Sequence, residues 1–300
     1  METVVLDPEA RAVVERLAAA RGRSLEDVAA VRHTFFVGPT AELPVRVYTP
    51  FGEGPFPALA FFHGGGWTLG NVEQSDAVCR ALANRGGCVV VAVNYQKAPE
   101  HRFPVALDDC LASLDWVVEN AGELEVDALQ LGVAGESSGA NLAAAVCLRA
   151  RDEGGPSIAF QVLVCPPLDR RFDTESMQRY GSEGFVLTAE AMRSFWDNYL
   201  GLEDVDDPYA CPLRAPSLAG LPPAVIVVAG CDPLLDDGLD YAAALESAGV
   251  PSIVRRYDRQ VHGVLRMADA VEAARTLIDD LGRDIRSLAR GDVWAMGETH

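Results

Sequence analysis

Gly-Glu-Ser-Ser-Gly-Ala-Asn, residues 135–141, is the stretch around which the rest of this chain is arranged. An apolar run over residues 129–134 leads into it, and a run of helical character over residues 141–151 follows. A G-x-S-x-G turn between a strand and a helix is typical of a nucleophile elbow. Its glycines let strand and helix approach closely, so Ser137 can occupy a strained backbone with its hydroxyl projecting from the sheet. The alternative is a glycine- and serine-rich loop without chemistry.

Composition limits the functions that need considering. The 300 residues are 49% hydrophobic and 23% charged, which suits one large α/β domain or two small ones. The formal net charge is −19 and the sequence pI about 4.6. Nucleic-acid binding needs a basic footprint, and an anionic membrane surface repels an acidic chain, so we expect neither partner.

The seven cysteines point to a reducing compartment. Their number is odd, they form no C-x-x-C pattern, and most lie within apolar runs. They predict buried reduced thiols in a cytoplasmic protein, rather than a disulfide framework or a metal site. Residues 1–17 lack the charge and apolar pattern of a signal peptide, and no run of about 18 apolar residues suggests a membrane span.

Strands and helices alternate along most of the chain. Helical character is expected over residues 8–30, followed by β-like segments at 34–37 and 44–48. Buried strands are predicted at 56–62, 88–93, 158–164, 224–229 and 252–257, and helices at 76–84, 105–120, 239–248 and 264–288. This alternation implies a mostly parallel sheet with helices on both faces.

The alternation stops between residues 168 and 211. Polar residues open this insertion, and large apolar residues then recur at largely helical spacing. A cap over a site and ordinary helices packed on the core would use the same residues. The pattern alone therefore leaves both interpretations open.

A second glycine-rich turn, His63-Gly64-Gly65-Gly66-Trp67, follows the strand predicted at 56–62. Three successive glycines are costly in conformational entropy unless the backbone itself is used. The functional interpretation is an oxyanion hole in which the N–H groups of Gly65 and Gly66 face a substrate carbonyl oxygen. A flexible turn is the alternative, although His63 and Trp67 would restrain the loop.

A serine nucleophile needs a base, which is usually histidine. Of the five histidines, His300 is terminal, His33 precedes the core, His63 belongs to the glycine turn and His101 lies in a proline-rich turn. His262 remains, and it follows the last predicted strand. Because sites form at the carboxyl ends of parallel strands, we expect His262 to be the base.

The carboxylate that orients the histidine should follow the preceding strand. Asp232 lies directly after that strand, whereas Asp236 and Asp237 fall one turn later, where acidic residues commonly serve a helix N-terminus. The resulting order, Ser137, Asp232, His262, is the order found in α/β hydrolases.

Together these motifs resemble the hormone-sensitive-lipase-like family of α/β-hydrolase esterases, also called bacterial family IV. The resemblance covers about residues 45–265 in the expected order. The matching stretches are His63 to Trp67, Tyr95-Gln-Lys-Ala-Pro-Glu-His-Arg-Phe-Pro104, Gly135 to Asn141, Asp207-Pro-Tyr-Ala-Cys-Pro212, Asp232-Pro-Leu and His262-Gly.

The resemblance implies an α/β-hydrolase fold, with an eight-stranded, mostly parallel sheet whose second strand is antiparallel. Helices would cover both faces, and a helical cap would cover the site. Residues 1–40 would form cap helices and lead-in, residues 41–167 and 213–300 the catalytic domain, and residues 168–212 the cap insertion.

The resemblance also implies roles for individual residues. Ser137 would be the nucleophile, His262 the general base and Asp232 its orienting partner. Oxyanion donors would be the N–H groups of Gly65, Gly66 and Ser138. The residues expected to support this site are His63, Gly64, Trp67, Glu136 and Asn141, and neither a metal nor an organic cofactor is needed.

The chain departs from the family pattern at several positions. Glu136 stands where Asp or Thr is usual, and Ser138 stands where Ala is usual. Gln96-Lys97 replaces Arg-Leu, and Cys211 takes a position often held by Ser. These changes leave the three proposed reacting side chains in place. The hydroxyl of Ser138 offers an additional group to a bound molecule and so bears on substrate choice, and Glu136 and Ser138 keep the non-hydrolytic alternatives open.

We therefore expect a serine carboxylesterase acting on small to medium, uncharged acyl esters through an acyl-enzyme. An amidase, a formamidase or a natural-product dehydratase or cyclase would use the same fold. A small-ligand receptor is a third possibility, but such receptors have lost a catalytic residue.

The last strand is predicted to lie at the sheet edge, where it could pair across a two-fold axis together with the last helix. This arrangement would give a homodimer. Arg255 and Arg256 could instead protect that edge.

Overall fold

The computed structural model describes residues 25–182, 186–201 and 206–292. Eight strands form one sheet: β1 (Ala30–Val37), β2 (Glu42–Thr49), β3 (Phe56–Phe62), β4 (Val89–Val93), β5 (Val126–Glu136), β6 (Phe160–Val164), β7 (Ala224–Cys231) and β8 (Ser252–Val261). Their order is β1-β2-β4-β3-β5-β6-β7-β8. β2 runs antiparallel to both neighbours, and β3 to β8 pair in parallel. The predicted eight-stranded α/β-hydrolase sheet is confirmed.

The apolar sequences of the central strands require cover on both faces of the sheet. Every residue of β4 and β6 is buried. The helices that supply this cover and the cap are α1 (Asp76–Gly86), α2 (Val105–Glu119), α3 (Ala121–Leu124), α4 (Ser138–Glu153), α5 (Glu175–Tyr180), α6 (Ala189–Leu200), α7 (Leu235–Ser247) and α8 (Glu272–Ala289). Helices α2, α4 and α7 pack on one face, and α1 and α8 pack on the other.

Two predicted helices differ from the structure. Residues 1–24 lie outside the described residues, so most of the helix predicted over residues 8–30 does too. Residues 25–29 are not helical, and strand β1 begins at Ala30 because residues 30–37 pair along their whole length with β2. The helix predicted over residues 264–288 is divided into a 3-10 helix, Val264–Met267, and α8. Val271 is extended at the start of α8 and separates the two.

The insertion at residues 168–212 contributes α5 and α6. Met177 of α5 and Met192, Trp196 and Tyr199 of α6 are buried against the larger apolar core. The insertion is therefore packed firmly onto the sheet domain. Whether residues 168–212 act as a separate cap over bound substrate stays a prediction.

All seven cysteines lie among the described residues and are free thiols. Six are buried, and Cys231, at the end of β7, is partly exposed. In the described part of the chain, no helix is both long enough and apolar enough to span a bilayer.

Candidate active site

Ser137 lies at the sharp turn between β5 and α4. Its φ of 55° and ψ of −125° form a strained conformation that few non-glycine residues adopt. A side chain on Gly135 would collide with the backbone of Gly139, and one on Gly139 would collide with the backbone of Phe62. The two glycines are therefore required by the close approach of helix and strand, as the motif predicts.

The turn brings Ser137 next to His262, and His262 next to Asp232. The Ser137 Oγ lies 2.9 Å from His262 Nε2, and His262 Nδ1 lies 2.8 Å from Asp232 Oδ2. All three residues are buried. With the proton on Nδ1 donated to Asp232, Nε2 is free to accept the serine proton. Three side chains from three separate strand ends thus form one hydrogen-bonded chain.

The surroundings of His262 favour its protonated form. Burial alone lowers its pKa, but the carboxylate of Asp232 raises it, Glu136 raises it further and Arg266 lowers it. The net effect is a pKa above the ordinary histidine value of 6.5. The imidazole is therefore a stronger base than a free histidine, as proton abstraction from a serine requires.

Asp232 and Asp236 have different partners. Asp232 uses its second oxygen, Oδ1, to accept a hydrogen bond of 3.0 Å from the Leu234 N–H. Asp236 accepts a hydrogen bond of 2.8 Å from the Ser176 N–H at the start of α5. The geometry therefore places Asp232, rather than its competitor Asp236, beside the histidine.

Asp237 also serves the insertion and not only its own helix. Its Oδ2 accepts hydrogen bonds of 2.8 Å from the Leu168 N–H and 3.2 Å from the Asp169 N–H. Arg171 pairs with its other oxygen. Burial raises the pKa of Asp237 to about 6, and these donors partly oppose that shift. The helix-terminus role expected from the sequence missed these longer-range contacts.

The glycine turn lies against the elbow. A side chain on Gly64 would meet the Glu136 carbonyl oxygen at 2.9 Å, and one on Gly66 would collide with the Phe195 ring of α6. Gly65 and Gly66 also have positive φ values, 135° and 60°. In residues 25–182, 186–201 and 206–292, no backbone carbonyl accepts a hydrogen bond from the N–H of Gly65, Gly66 or Ser138. The prediction that these three groups form an oxyanion hole stays a prediction.

His63 supports this turn and does not contact the serine hydroxyl. Its ring stacks on Tyr95 at 4.3 Å, its Nδ1 lies 2.9 Å from the Gly64 carbonyl oxygen, and its own carbonyl accepts from the Tyr95 hydroxyl. Burial lowers the pKa of His63 and keeps the ring neutral. The neutral His63 ring therefore restrains the glycine turn through its contacts with Tyr95 and Gly64.

Trp67 and Asn141 join the turn, the elbow helix and the insertion. The Trp67 ring stacks on Tyr199 at 4.5 Å, and its Nε1–H donates to the Asn141 Oδ1 at 3.3 Å. Asn141 in turn donates to the carbonyl oxygens of Pro167 and Ala210, both at 2.9 Å. The five predicted supporting residues therefore all lie close to the elbow or the glycine turn.

Arg266 is a neighbour of the site that the sequence motifs do not predict. Arg266 Nε lies 2.8 Å from Glu136 Oε2. The prediction of a continuous helix over residues 264–288 hid this contact, because it gave Arg266 no reason to face the elbow. No glycine or proline at residues 268–271 marks the helix break after Met267, so the sequence carries no signal for this contact.

Three side chains at the site offer potential metal ligands close together. The ligand atoms of Cys165, Asp232 and His262 all lie within 4.8 Å of one another. Asp232 and His262 are already hydrogen-bonded to each other, so binding a metal here would break the Ser137–His262–Asp232 chain. We assign no metal to this group.

The sequence profile of the alpha/beta hydrolase fold matches residues 59–266, about two thirds of the chain, and the match contains every residue of the hydrogen-bonded chain. The chain belongs to this alpha/beta hydrolase family. The resemblance to the hormone-sensitive-lipase-like members of the family, drawn from the motifs, is confirmed.

Curated members of the family include proteins named as ester hydrolases. The chain is 44% identical to the carboxylic ester hydrolase LipN of Mycobacterium tuberculosis, over 77% of this chain and 63% of that protein. It is 37% identical to an arylesterase of Saccharolobus solfataricus, over 81% and 80% respectively. The chain therefore spans less than two thirds of the length of LipN.

Solved structures in the family share the same architecture. EstE1, a thermophilic carboxylesterase cloned from a metagenomic library, matches with a TM-score of 0.89 and 36% identity. The match covers 94% of this chain and 97% of EstE1. The described fold is thus that of a known carboxylesterase over nearly its whole length.

Proposed function

We propose that this alpha/beta hydrolase is a serine carboxylesterase that hydrolyses small to medium, uncharged acyl esters. The observation that carries the proposal is the hydrogen-bonded chain in which Ser137 Oγ lies 2.9 Å from His262 Nε2 and His262 Nδ1 lies 2.8 Å from Asp232. The names of the relatives agree with an ester as the substrate.

The first half of the reaction acylates Ser137. Its hydroxyl attacks the ester carbonyl carbon while His262 Nε2 accepts the hydroxyl proton, and Asp232 stabilises the resulting imidazolium. The carbonyl oxygen becomes an oxyanion that the N–H groups of Gly65, Gly66 and Ser138 would stabilise. Collapse of the tetrahedral intermediate breaks the bond to the alcohol oxygen, and His262 gives its proton to the departing alcohol.

The second half releases the acid. Water attacks the acyl-enzyme carbonyl while His262 accepts one water proton. The tetrahedral intermediate then breaks its bond to the Ser137 oxygen, which recovers the proton from His262. Carboxylic acid and free enzyme result, and each step balances without a metal or organic cofactor.

The preference for uncharged esters rests on the surroundings of the glycine turn. Phe195 of α6, a partly buried aromatic ring, lies directly against Gly66. An aromatic ring beside the glycine turn favours an apolar acyl group. The net charge of −19 disfavours the approach of an anionic substrate.

Hydrolysis of p-nitrophenyl esters from acetyl to dodecanoyl tests the proposal. We expect turnover that is highest with short or medium acyl groups and falls by about a millionfold in Ser137→Ala, which removes the nucleophile. Ser113→Ala is the matched control, because Ser113 is a buried serine in α2 whose hydroxyl donates to the Cys110 carbonyl oxygen of its own helix. It should keep wild-type turnover.

Two results would contradict the proposal. Substantial activity in Ser137→Ala would show that another residue attacks the ester. An absence of turnover across the whole series, with Ser137 still labelled by a fluorophosphonate, would show an active serine whose substrate is not a simple ester.

A further inference from the structure

Glu136 and Arg266 form an ion pair beside the hydrogen bond between Ser137 and His262. Glu136 Oε2 lies 2.8 Å from Arg266 Nε, and the Glu136 side chain is 3% exposed against 33% for Arg266. Within the described residues, neither the other carboxylate oxygen of Glu136 nor Arg266 Nε has a hydrogen-bond partner, although both atoms are buried, so the contact is an ion pair without a hydrogen bond. A charge this deeply buried depends on its single partner, because removing one member leaves the other uncompensated.

This pair joins the same two chain segments as the Ser137–His262 hydrogen bond. Glu136 is the last residue of β5 and directly precedes Ser137. Arg266 lies four residues after His262, in the 3-10 helix Val264–Met267. The Arg266 N–H donates to the Gly263 carbonyl oxygen, and Val264 is fully buried, so the segment from His262 to Arg266 is well fixed.

Four groups with titratable or charged side chains face His262 from the surrounding elements. Asp232 faces it from the end of β7, Cys165 from the end of β6, Glu136 from the elbow and Arg266 from the 3-10 helix. Burial raises the pKa of Cys165, so its thiol is uncharged. Apart from Asp232, the charged groups that face His262 are therefore the Glu136 carboxylate and the Arg266 guanidinium, which have opposite charges. Each of these two charges can be removed by substitution while Asp232 is left unchanged.

We propose that Glu136 and Arg266 are positioning residues, which hold the His262 segment on the nucleophile elbow and balance each other's charge at the imidazole. This inference rests on the proposed function, because it assigns His262 the role of base. The inference explains how a buried carboxylate can directly precede Ser137. Its charge is balanced by the Arg266 guanidinium, which lies in the segment that also carries His262.

The test compares Glu136→Gln, Arg266→Met and the double variant in their pH profiles of kcat/KM for a p-nitrophenyl ester. His262 must be neutral to accept a proton, so activity falls as the pH drops through its pKa. Glu136→Gln leaves the arginine cation alone and should move this acid limb down by about one pH unit. Arg266→Met leaves the carboxylate alone and should move the limb up by a similar amount.

The double variant separates charge from position. It carries neither charge, so its acid limb should return close to that of the wild type, and it leaves no buried charge uncompensated. Its kcat should nevertheless stay about ten- to a hundredfold low, because the second link between the two segments is lost and the reacting atoms are held less closely.

Asp284→Asn is the matched control. The side chain of Asp284 in α8 is 4% exposed and pairs at 2.6 Å with Arg255 in β8. Neither residue belongs to the elbow or to the segment from His262 to Arg266. This variant also removes a buried carboxylate from an arginine, so it reproduces the general cost of breaking such a pair. Its acid limb and kcat should match the wild type.

Three outcomes would overturn the inference. They are equal shifts in the same direction for both single variants, wild-type kcat in the double variant, and the same changes in Asp284→Asn. If Ser137→Ala is inactive while the Glu136 and Arg266 variants behave as the wild type, only the positioning role fails. If Ser137→Ala remains active, the proposed function itself fails.

Discussion

At the scale of single residues, the two carboxylate oxygens of Asp232 have different hydrogen-bond partners. Oδ2 lies 2.8 Å from His262 Nδ1, and Oδ1 accepts a hydrogen bond from the Leu234 N–H. The carboxylate is therefore held in one orientation by the backbone of its own turn. A carboxylate fixed in this way keeps the imidazole in the tautomer that leaves Nε2 free to accept a proton.

The first prediction concerns this carboxylate. Asp232→Asn should lower kcat about ten-thousandfold, because the neutral amide favours the wrong tautomer and stabilises no imidazolium. Because Asp232 raises the pKa of His262, its loss should also move the acid limb of kcat/KM to lower pH. Stopped assays across pH 5 to 9 on a fast p-nitrophenyl ester measure both effects.

Asp236→Asn is the control for that experiment. Asp236 is only four residues away, but its carboxylate binds the Ser176 N–H and not the histidine. We expect a wild-type pH profile from Asp236→Asn. If Asp236→Asn lost as much activity as Asp232→Asn, the assignment of the orienting role to Asp232 would be contradicted.

Residues at this scale were predictable where a motif fixes the local backbone. The serine at the elbow, the glycines that let the helix approach and the chain order of Ser137, Asp232 and His262 could all be inferred from the sequence. The Glu136–Arg266 contact could not, because it depends on the helix break after Met267, and no glycine or proline at residues 268–271 signals that break.

At the scale of elements, buried polar groups join the insertion to the sheet domain, in addition to its apolar packing. Asp237 of α7 accepts hydrogen bonds from the N–H groups of residues 168 and 169, and Asn141 of α4 donates to the carbonyl oxygens of residues 167 and 210. Both ends of the insertion are thus bound by side chains from helices that begin at the carboxyl edge of the sheet.

The second prediction follows from the pKa of Asp237. Burial raises this pKa from 3.8 to about 6, so the folded protein binds the proton more tightly than the unfolded chain. The stability that Asp237 contributes is then greatest at low pH and declines as the pH rises through about 6. Relative to Asp237→Asn, the wild type should lose about 1.4 kcal/mol of unfolding free energy between pH 5 and pH 7.5.

Urea unfolding at several pH values measures this difference. Asp240→Asn is the matched control, because Asp240 lies on the same helix and pairs with the same Arg171, but its side chain is 51% exposed. The difference in unfolding free energy between Asp240→Asn and the wild type should stay constant between pH 5 and pH 7.5. A constant difference between wild type and Asp237→Asn would show that Asp237 keeps an ordinary pKa.

Element boundaries were predictable where apolar runs were continuous. The strand predicted over residues 56–62 matches β3, and the helix predicted over residues 105–120 ends one residue later than α2. The predicted start of α7 was four residues late, because Leu235 to Gly238 carry two aspartates that look like a polar loop. Both aspartates accept hydrogen bonds from the insertion, and the local sequence pattern does not reveal these contacts.

At the scale of the whole molecule, β8 forms one edge of the sheet. Its Arg255 pairs with Asp284, and its Tyr257 donates to Asp280, so these side chains lie against α8 and not along the strand edge. Val254 is 38% exposed on the same strand. Edge strands of this kind are templates for pairing with another chain.

The third prediction is a homodimer that forms through β8 and α8. Light scattering coupled to gel filtration should give about 64 kDa, which is twice the chain mass of 32.1 kDa. Val254→Glu should return the mass to that of the monomer, because a two-fold axis brings the two new carboxylates together. Val118→Glu, on α2 at the same 38% exposure, should remain dimeric. A monomeric wild type would contradict the prediction.

The burial of the thiols has a practical consequence. Cys231 alone among the seven cysteines is partly exposed, and it is the residue directly before Asp232. A thiol-reactive fluorophore or spin label would therefore attach at one position, without any cysteine having to be engineered in or out. It would sit one residue from the carboxylate that is hydrogen-bonded to His262, and so would report spectroscopically on motion of that turn.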